Sequence, residues 1–236
     1  MKLIISETIR AKYPDLRIAV VVAKNINNTL YQNGLEDFTN DTFKAFAQKF
    51  GNHKDFETHK NIVAWREIYR SFGVNPKKKK PTAESLLVRV IRSGYAPKIS
   101  PAVDAYLCAE TVHYLPIGGY DLDKITGDIV LRFSEGNEKF LGIGAESEEV
   151  TDTSEVVYSD NNHVLTRCWN YRDCDFSKID KETTTLALFS EAPYATISDN
   201  EAKETVNSIK ENLQKFCGAE CTTFFLSSKE NEIGIF

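Results

Sequence analysis

A mixed α/β fold (α+β) is what this sequence predicts, and three observations predict it. Apolar residues recur at helical spacing through most of the first half of the chain, whereas short alternating apolar segments set off by Gly, Asp and Asn dominate beyond residue 125. At 236 residues, with 42% hydrophobic and 27% charged side chains, the chain can bury a substantial core.

In chain order, Leu16 to Ala23 (LRIAVVVA) is β-branched and almost wholly apolar, which predicts a buried strand. Phe43, Phe46, Ala47 and Phe50 predict a helix from about Thr39 to Phe50. His59 to Phe72 repeats that pattern with Ile62, Trp65, Ile68, Tyr69 and Phe72, and Gly73 ends it. Thr82 is read as the N-cap of a helix through Leu86, Leu87, Val90 and Ile91 that Gly94 stops, and another helix is expected over Ser100 to Thr111. Strands are expected at Ile129 to Phe133, Lys139 to Ile143, Glu155 to Ser159, Val164 to Trp169 and Thr184 to Phe189. An amphipathic helix from Asn200 to Phe216 and a strand from Cys221 to Leu226 follow. The chain divides into an N-terminal α/β portion with a basic loop over residues 1–80 and a core over 81–236, expected to form one structural unit.

The net charge of -5 conceals an asymmetry. Residues 1–100 hold 18 Lys+Arg against 9 Asp+Glu, leaving 11 and 25 for the remainder. A basic half attracts phosphates and is compatible with an RNA partner. The run Lys77, Lys78, Lys79, Lys80 is read either as a solvated loop or as a phosphate-contacting one. Five cysteines without a CxxC pair read as free thiols of a reducing compartment, and the four histidines are scattered. No metal and no cofactor are therefore expected. The N-terminal stretch meets charge by Glu7, too early for a signal peptide, so a cytoplasmic protein without a membrane partner is expected.

The stretch Leu115-Pro-Ile-Gly-Gly-Tyr-Asp-Leu-Asp-Lys-Ile-Thr-Gly127 resembles the P-x-H-A-F-D-L-D-K-I-x-G signature of the editing and tRNA-binding (B3/B4) domain of the phenylalanyl-tRNA synthetase beta subunit. Val103-Asp104, Ile129 to Phe133 with Gly136, Glu138 and Gly144, Val157 to Asp160, and Ser177 to Ala192 continue the resemblance in register. It covers about residues 85–193, with a flanking resemblance to free-standing homologues through Trp65 to Pro76.

The resemblance implies two interleaved subdomains around a central cleft, and a tRNA-binding protein that hydrolyses the ester of a mischarged aminoacyl-tRNA in trans. An ester is already activated, so orienting a water and stabilising the oxyanion supply most of the rate, and no Ser-His-Asp or Cys-His constellation is required. The alternative is a non-catalytic module that binds RNA or an amino-acid-like ligand. Two departures bear on the choice. The motif's histidine falls at Gly118, and its glycine-lined wall falls at Asn170 to Cys174. Catalytic candidates are Asp121, Asp173, Gly118 and Gly119, the glycines serving a tight turn or a close backbone approach, or offering N–H groups to an oxyanion. Asp121 is read equally as a structural residue. Substrate-binding candidates are Arg167, Trp169, Asn170, Arg172, Asp104, Tyr106 and Gly144. The 167–173 cluster reads as a polar pocket wall or as a salt-bridged strand end with Trp169 in the core.

Overall fold

The computed structural model describes residues 1–32 and 34–236. Its organising element is β2 (Arg17–Lys24), whose six consecutive buried residues leave no polar face, so both sides must be covered. It lies inside a four-stranded antiparallel sheet of order β11-β2-β10-β3, with β3 at Ile117–Asp121, β10 at Leu186–Ala192 and β11 at Glu220–Ser227. A six-stranded sheet has the order β12-β1-β4-β7-β8-β9. Its strands are β1 (Lys2–Ile5), β4 (Ile129–Phe133), β7 (Val156–Ser159), β8 (Val164–Arg167), β9 (Arg172–Asp173) and β12 (Glu232–Gly234). Only the β1–β4 pair in it is parallel. A small hairpin joins β5 (Lys139–Phe140) to β6 (Glu149–Val150).

The helices are α1 (Glu7–Lys12), α2 (Leu35–Phe50), α3 (His53–Phe56), α4 (Lys60–Ser71), α5 (Thr82–Ser93), α6 (Pro101–His113) and α7 (Asp199–Cys217). Helix α7 starts in a capping box between Ser198 and Glu201 and lies on β2 and β11. Helix α6 is buried on nearly every side, its apolar residues lying all round it rather than along one stripe, and packs between α2 and α7. One hydrophobic core runs through the layers.

The two sheets take their strands from interspersed stretches of the chain, so the expected interleaving is present. Both β1 and β2 precede residue 80 yet pair beyond it, β1 with β4 and β12, β2 with β10 and β11. Several local expectations need correction. Pro81, not Thr82, occupies the N-cap of α5, and the Thr82 N–H instead donates to the Asn170 carbonyl at 3.1 Å. The strand expected over Lys139 to Ile143 stops at Phe140. Gly118 and Gly119 form no tight turn but lie inside β3. Gly119 is required there because a Cβ would sit 2.1 Å from the Ala187 carbonyl oxygen of the neighbouring strand.

Candidate functional site

The two sheets leave a cleft between them that α5 and α6 close on one side. Its inner compartment, about 280 Å³, is walled by β3 and β10 of one sheet and by β7, β8 and β9 of the other. Its outer compartment, about 380 Å³, continues past Gly119, Ile143 and Gly144 to Lys178 and Lys181. Tyr106 and Asp173 are the polar side chains that border both compartments.

The turn joining β8 to β9 shapes one wall. Cys168 and Trp169 both take left-handed backbone conformations, with φ of 49° and 71°, which explains why β8 ends at Arg167 rather than Trp169. Non-glycine residues adopt that region at a cost and hold it only where their surroundings enforce it. Here the Trp169 N–H donates to the Val156 carbonyl at 2.6 Å and the Tyr171 N–H to the Arg167 carbonyl at 3.1 Å. The Trp169 ring is fully buried, edge-on to Tyr13 and Trp65 at centroid separations of 4.9 and 5.5 Å. Trp169 therefore serves the core and the cavity wall together, and the turn carries Asn170 and Tyr171 into the lining.

Asp173 stands at the junction of the compartments. It accepts from the Thr166 hydroxyl at 2.6 Å, and that hydroxyl meets the Tyr120 hydroxyl at 2.6 Å. Burial pushes the Asp173 carboxyl up to about 6, against the opposing pull of the Thr166 hydrogen bond. Two more carboxyls line the inner compartment. Glu191, on β10, accepts from the Tyr158 hydroxyl at 2.8 Å, and burial pushes it up to about 8. Glu110, on α6, is 1% exposed, and among the described residues neither of its oxygens meets a hydrogen-bond partner of normal geometry. Burial drives it well above the usual carboxylate range, with the charge of Asp173 adding to the shift and the Ile117 N–H opposing it.

The remaining expected residues divide. Gly118 and Arg172 line the inner compartment with Trp169 and Asn170, while Gly119 and Gly144 line the outer one. The Arg172 side chain is 39% exposed, approaches Glu149 at 3.7 Å and runs past Gly142, where a Cβ would meet its Cδ at 2.8 Å. Arg167 is not in the cleft. Its guanidinium is buried, bidentate to Glu155 at 2.8 and 2.5 Å and bonded to Glu149 at 2.7 Å, so the strand-end reading holds for it. Asp121 also turns away. It caps the Asp123 N–H at 3.1 Å, accepts from the Thr183 hydroxyl at 2.9 Å and pairs with Lys124. Asp104 accepts from the Tyr31 hydroxyl at 2.9 Å and the Ile99 N–H at 3.1 Å, and borders a separate cavity of about 60 Å³. In the lysine run, Lys79 is bonded to Glu155 at 2.8 Å and Lys80 approaches Glu84 at 3.4 Å, leaving Lys77 and Lys78 exposed.

Sequence reasoning missed Glu110, Thr166 and Glu191. The two acids carried a signal, because Glu110 in the apolar helix PAVDAYLCAETVH and Glu191 in the largely apolar strand LALFSEA contradict their surroundings, whereas Thr166 carried none.

Fold and cleft together define a mixed α/β domain with a cleft between two interleaved sheets. The B3/4 domain family model matches residues 64–215, more than half of the chain, and the chain belongs to that family. Among solved structures, the chain is similar to an N-terminal fragment of the phenylalanyl-tRNA synthetase beta-subunit from Pyrococcus horikoshii, at 12% sequence identity and a TM-score of 0.47. The similarity covers 93% of this chain and 49% of that one, so the chain spans about half the length of the fragment. No curated protein matches it. No helix among the described residues is long and apolar enough to cross a membrane.

Proposed function

We propose that this B3/4 domain is an aminoacyl-ester hydrolase acting in trans on mischarged tRNA in the cytoplasm, with Asp173 as the group that orients and deprotonates the attacking water. The observation that carries this reading is the position of Asp173, held by Thr166 where the two compartments meet. An aminoacyl group seated in the inner compartment then presents its ester carbonyl beside that carboxylate, with the ribose in the outer one. The water oxygen bonds to the carbonyl carbon while its proton passes to Asp173. The acyl C–O bond then breaks, and the leaving ribose oxygen takes up the proton. A carboxylate raised to about 6 is a stronger base than an ordinary one and still ionised at neutral pH. Tyr106, whose phenol burial pushes upward, remains a hydroxyl donor for the oxyanion. The basic first hundred residues and the exposed Lys77 and Lys78 support tRNA as the partner.

Incubation with a panel of mischarged tRNAs tests the reading. Turnover by the parent protein that Asp173→Asn lowers by about 10²–10⁴-fold, the range of general acid–base contributions, supports it. Absence of turnover on every tRNA, with binding intact, leaves the non-catalytic binding module. Gly118 is the observation favouring that second reading, since it puts no side chain into the cleft to place a water.

A further inference from the structure

We propose that the inner compartment is a receptor for a positively charged group of the bound ligand, an ammonium or a guanidinium, with Glu110 and Glu191 as its counter-charges. The proposal rests on the reading of the cleft as an aminoacyl site and specifies what that site selects.

Three carboxyls, Glu110, Asp173 and Glu191, line one cavity, whereas its lining holds a single cationic side chain, Arg172, which is half-exposed and turned toward Glu149. Buried carboxyls are normally paired, because taking an ionised oxygen out of water without compensation is costly. Glu110 breaks that pattern most clearly. It is 1% exposed, borders the cavity, and lacks a hydrogen-bond partner of normal geometry at both oxygens among the described residues. The wall around it is aromatic. Tyr120, Tyr158 and Phe189 pack against one another with ring centroids 5.6–6.3 Å apart, and all three border the cavity. Aromatic rings and carboxylates lining one cavity are the combination that stabilises an organic cation.

Other ligand classes fit less well. An anionic inner group would meet three acids. A purely apolar one would fill the space but leave the Glu110 oxygens unpaired, and a site built of polar groups rejects such an isostere strongly. A cation satisfies the acids and favours their ionised forms. Asp173, Glu191, the Tyr106 phenol and the Ile117 N–H neighbour Glu110, and the Tyr120 and Tyr158 phenols neighbour Glu191, with Arg172 at the rim, so among the described residues no second cation of the lining competes for the acids inside. Binding a cation pulls Glu110 and Glu191 downward, and Glu191, held at about 8 without the ligand, then releases its proton at neutral pH.

The positive charge has two sources in an amino acid, the α-ammonium and the side chain, and calorimetric titration of methyl esters separates them. L-arginine and L-lysine methyl esters are compared with the neutral L-citrulline, L-norleucine and L-tyrosine esters, each also as its N-acetyl derivative. Tenfold or tighter binding of the arginine or lysine ester, surviving N-acetylation, supports a side-chain cation. Equal binding of all free-amine esters, with a tenfold loss on N-acetylation, supports the α-ammonium. Either preference must vanish in Glu110→Gln and in Glu191→Gln, and proton release, read from two buffers of different ionisation enthalpy, must fall with it. These variants replace a buried acid by its neutral isostere, and an unchanged melting temperature or a raised one certifies their fold. Binding indifferent to both charges, or a preference that survives both Gln variants, overturns the proposal. Cation selectivity without deacylation in the tRNA assay removes the hydrolase reading and keeps the receptor. Deacylation without selectivity does the reverse.

Discussion

Gly118 faces Asp173 across the cleft, so that a Cβ at residue 118 would lie 3.7 Å from Asp173 Oδ2. That separation is ordinary van der Waals contact, whereas one residue along the same strand a Cβ would drive into the Ala187 carbonyl. Gly118 thus leaves open space beside a carboxylate, and Gly119 lets two strands approach.

Substitution by Ala separates these roles. Gly118→Ala is expected to be neutral or to stabilise by about 0.5–1 kcal/mol, since Gly is unfavourable inside a strand. Gly119→Ala is expected to cost about 1–3 kcal/mol through overpacking. Denaturant unfolding of the two variants checks this, and equal stabilities would refute the assignment.

The pH dependence of turnover should report Asp173. In the proposed mechanism its ionised form is the base, so the rate should rise as pH increases through about 6 and then level off. Thr166→Val removes the hydrogen bond that holds the carboxyl down, so the rising limb should move to higher pH. A limb unmoved in Thr166→Val would show that another group titrates.

Stability should fall as pH rises across the window set by Glu191. Its folded value of about 8 exceeds the ordinary carboxyl value of 4.5, so the native state binds more protons than the unfolded one between those limits. The stabilisation is complete below about 4.5 and is lost as pH rises through about 8. Glu110, raised by the same burial, acts in the same direction. Melting temperatures from pH 5 to pH 8.5 should decline in the parent protein and decline less in Glu191→Gln.

Arg167 and Arg172 should respond oppositely to removal. Arg167→Ala strands the buried Glu155 with Lys79 as its remaining partner and should destabilise by about 3–5 kcal/mol. Arg172→Ala breaks only a long, exposed approach to Glu149, where about 0–1 kcal/mol is expected. Thermal unfolding that ranks them the other way would reverse their assigned places.

Affinity for tRNA should depend on Lys77 and Lys78. Their joint replacement by Ala is expected to lower both affinity and its salt dependence, because fewer counterions are released. Lys79→Ala is expected to act on stability instead, through Glu155. Filter binding across a salt series distinguishes the two.

The elements that sequence made legible are those where one local signal dominates. The apolar run of β2 and the Gly94 stop of α5 fall where the pattern puts them, and α6 and α7 cover the stretches expected to be helical. The short strands β1, β9 and β12 carry no comparable signal, because pairing with distant strands rather than local periodicity makes them strands. The same holds for the site. Asp173 and Arg172 were findable within one polar segment, whereas Glu110 and Glu191 lie far apart in sequence and meet only when α6 and β10 are brought to the same cavity. Arg167 looked like a ligand-reading side chain because its partners, Glu149 and Glu155, are remote from it along the chain.

The interleaving of the sheets has a consequence for synthesis on the ribosome. β2 (RIAVVVAK) finds its two partners only at Leu186–Ala192 and Glu220–Ser227, so about 160 residues must follow it before either ladder can form. Throughout that interval the chain displays an apolar, β-branched segment with both backbone edges open, the composition that seeds strand-to-strand aggregation. Expression yield should therefore respond to elongation rate and to chaperone supply more than the equilibrium stability of the finished fold suggests. A charged substitution in β2 that slows aggregation of the nascent chain would also damage the sheet it is waiting to join.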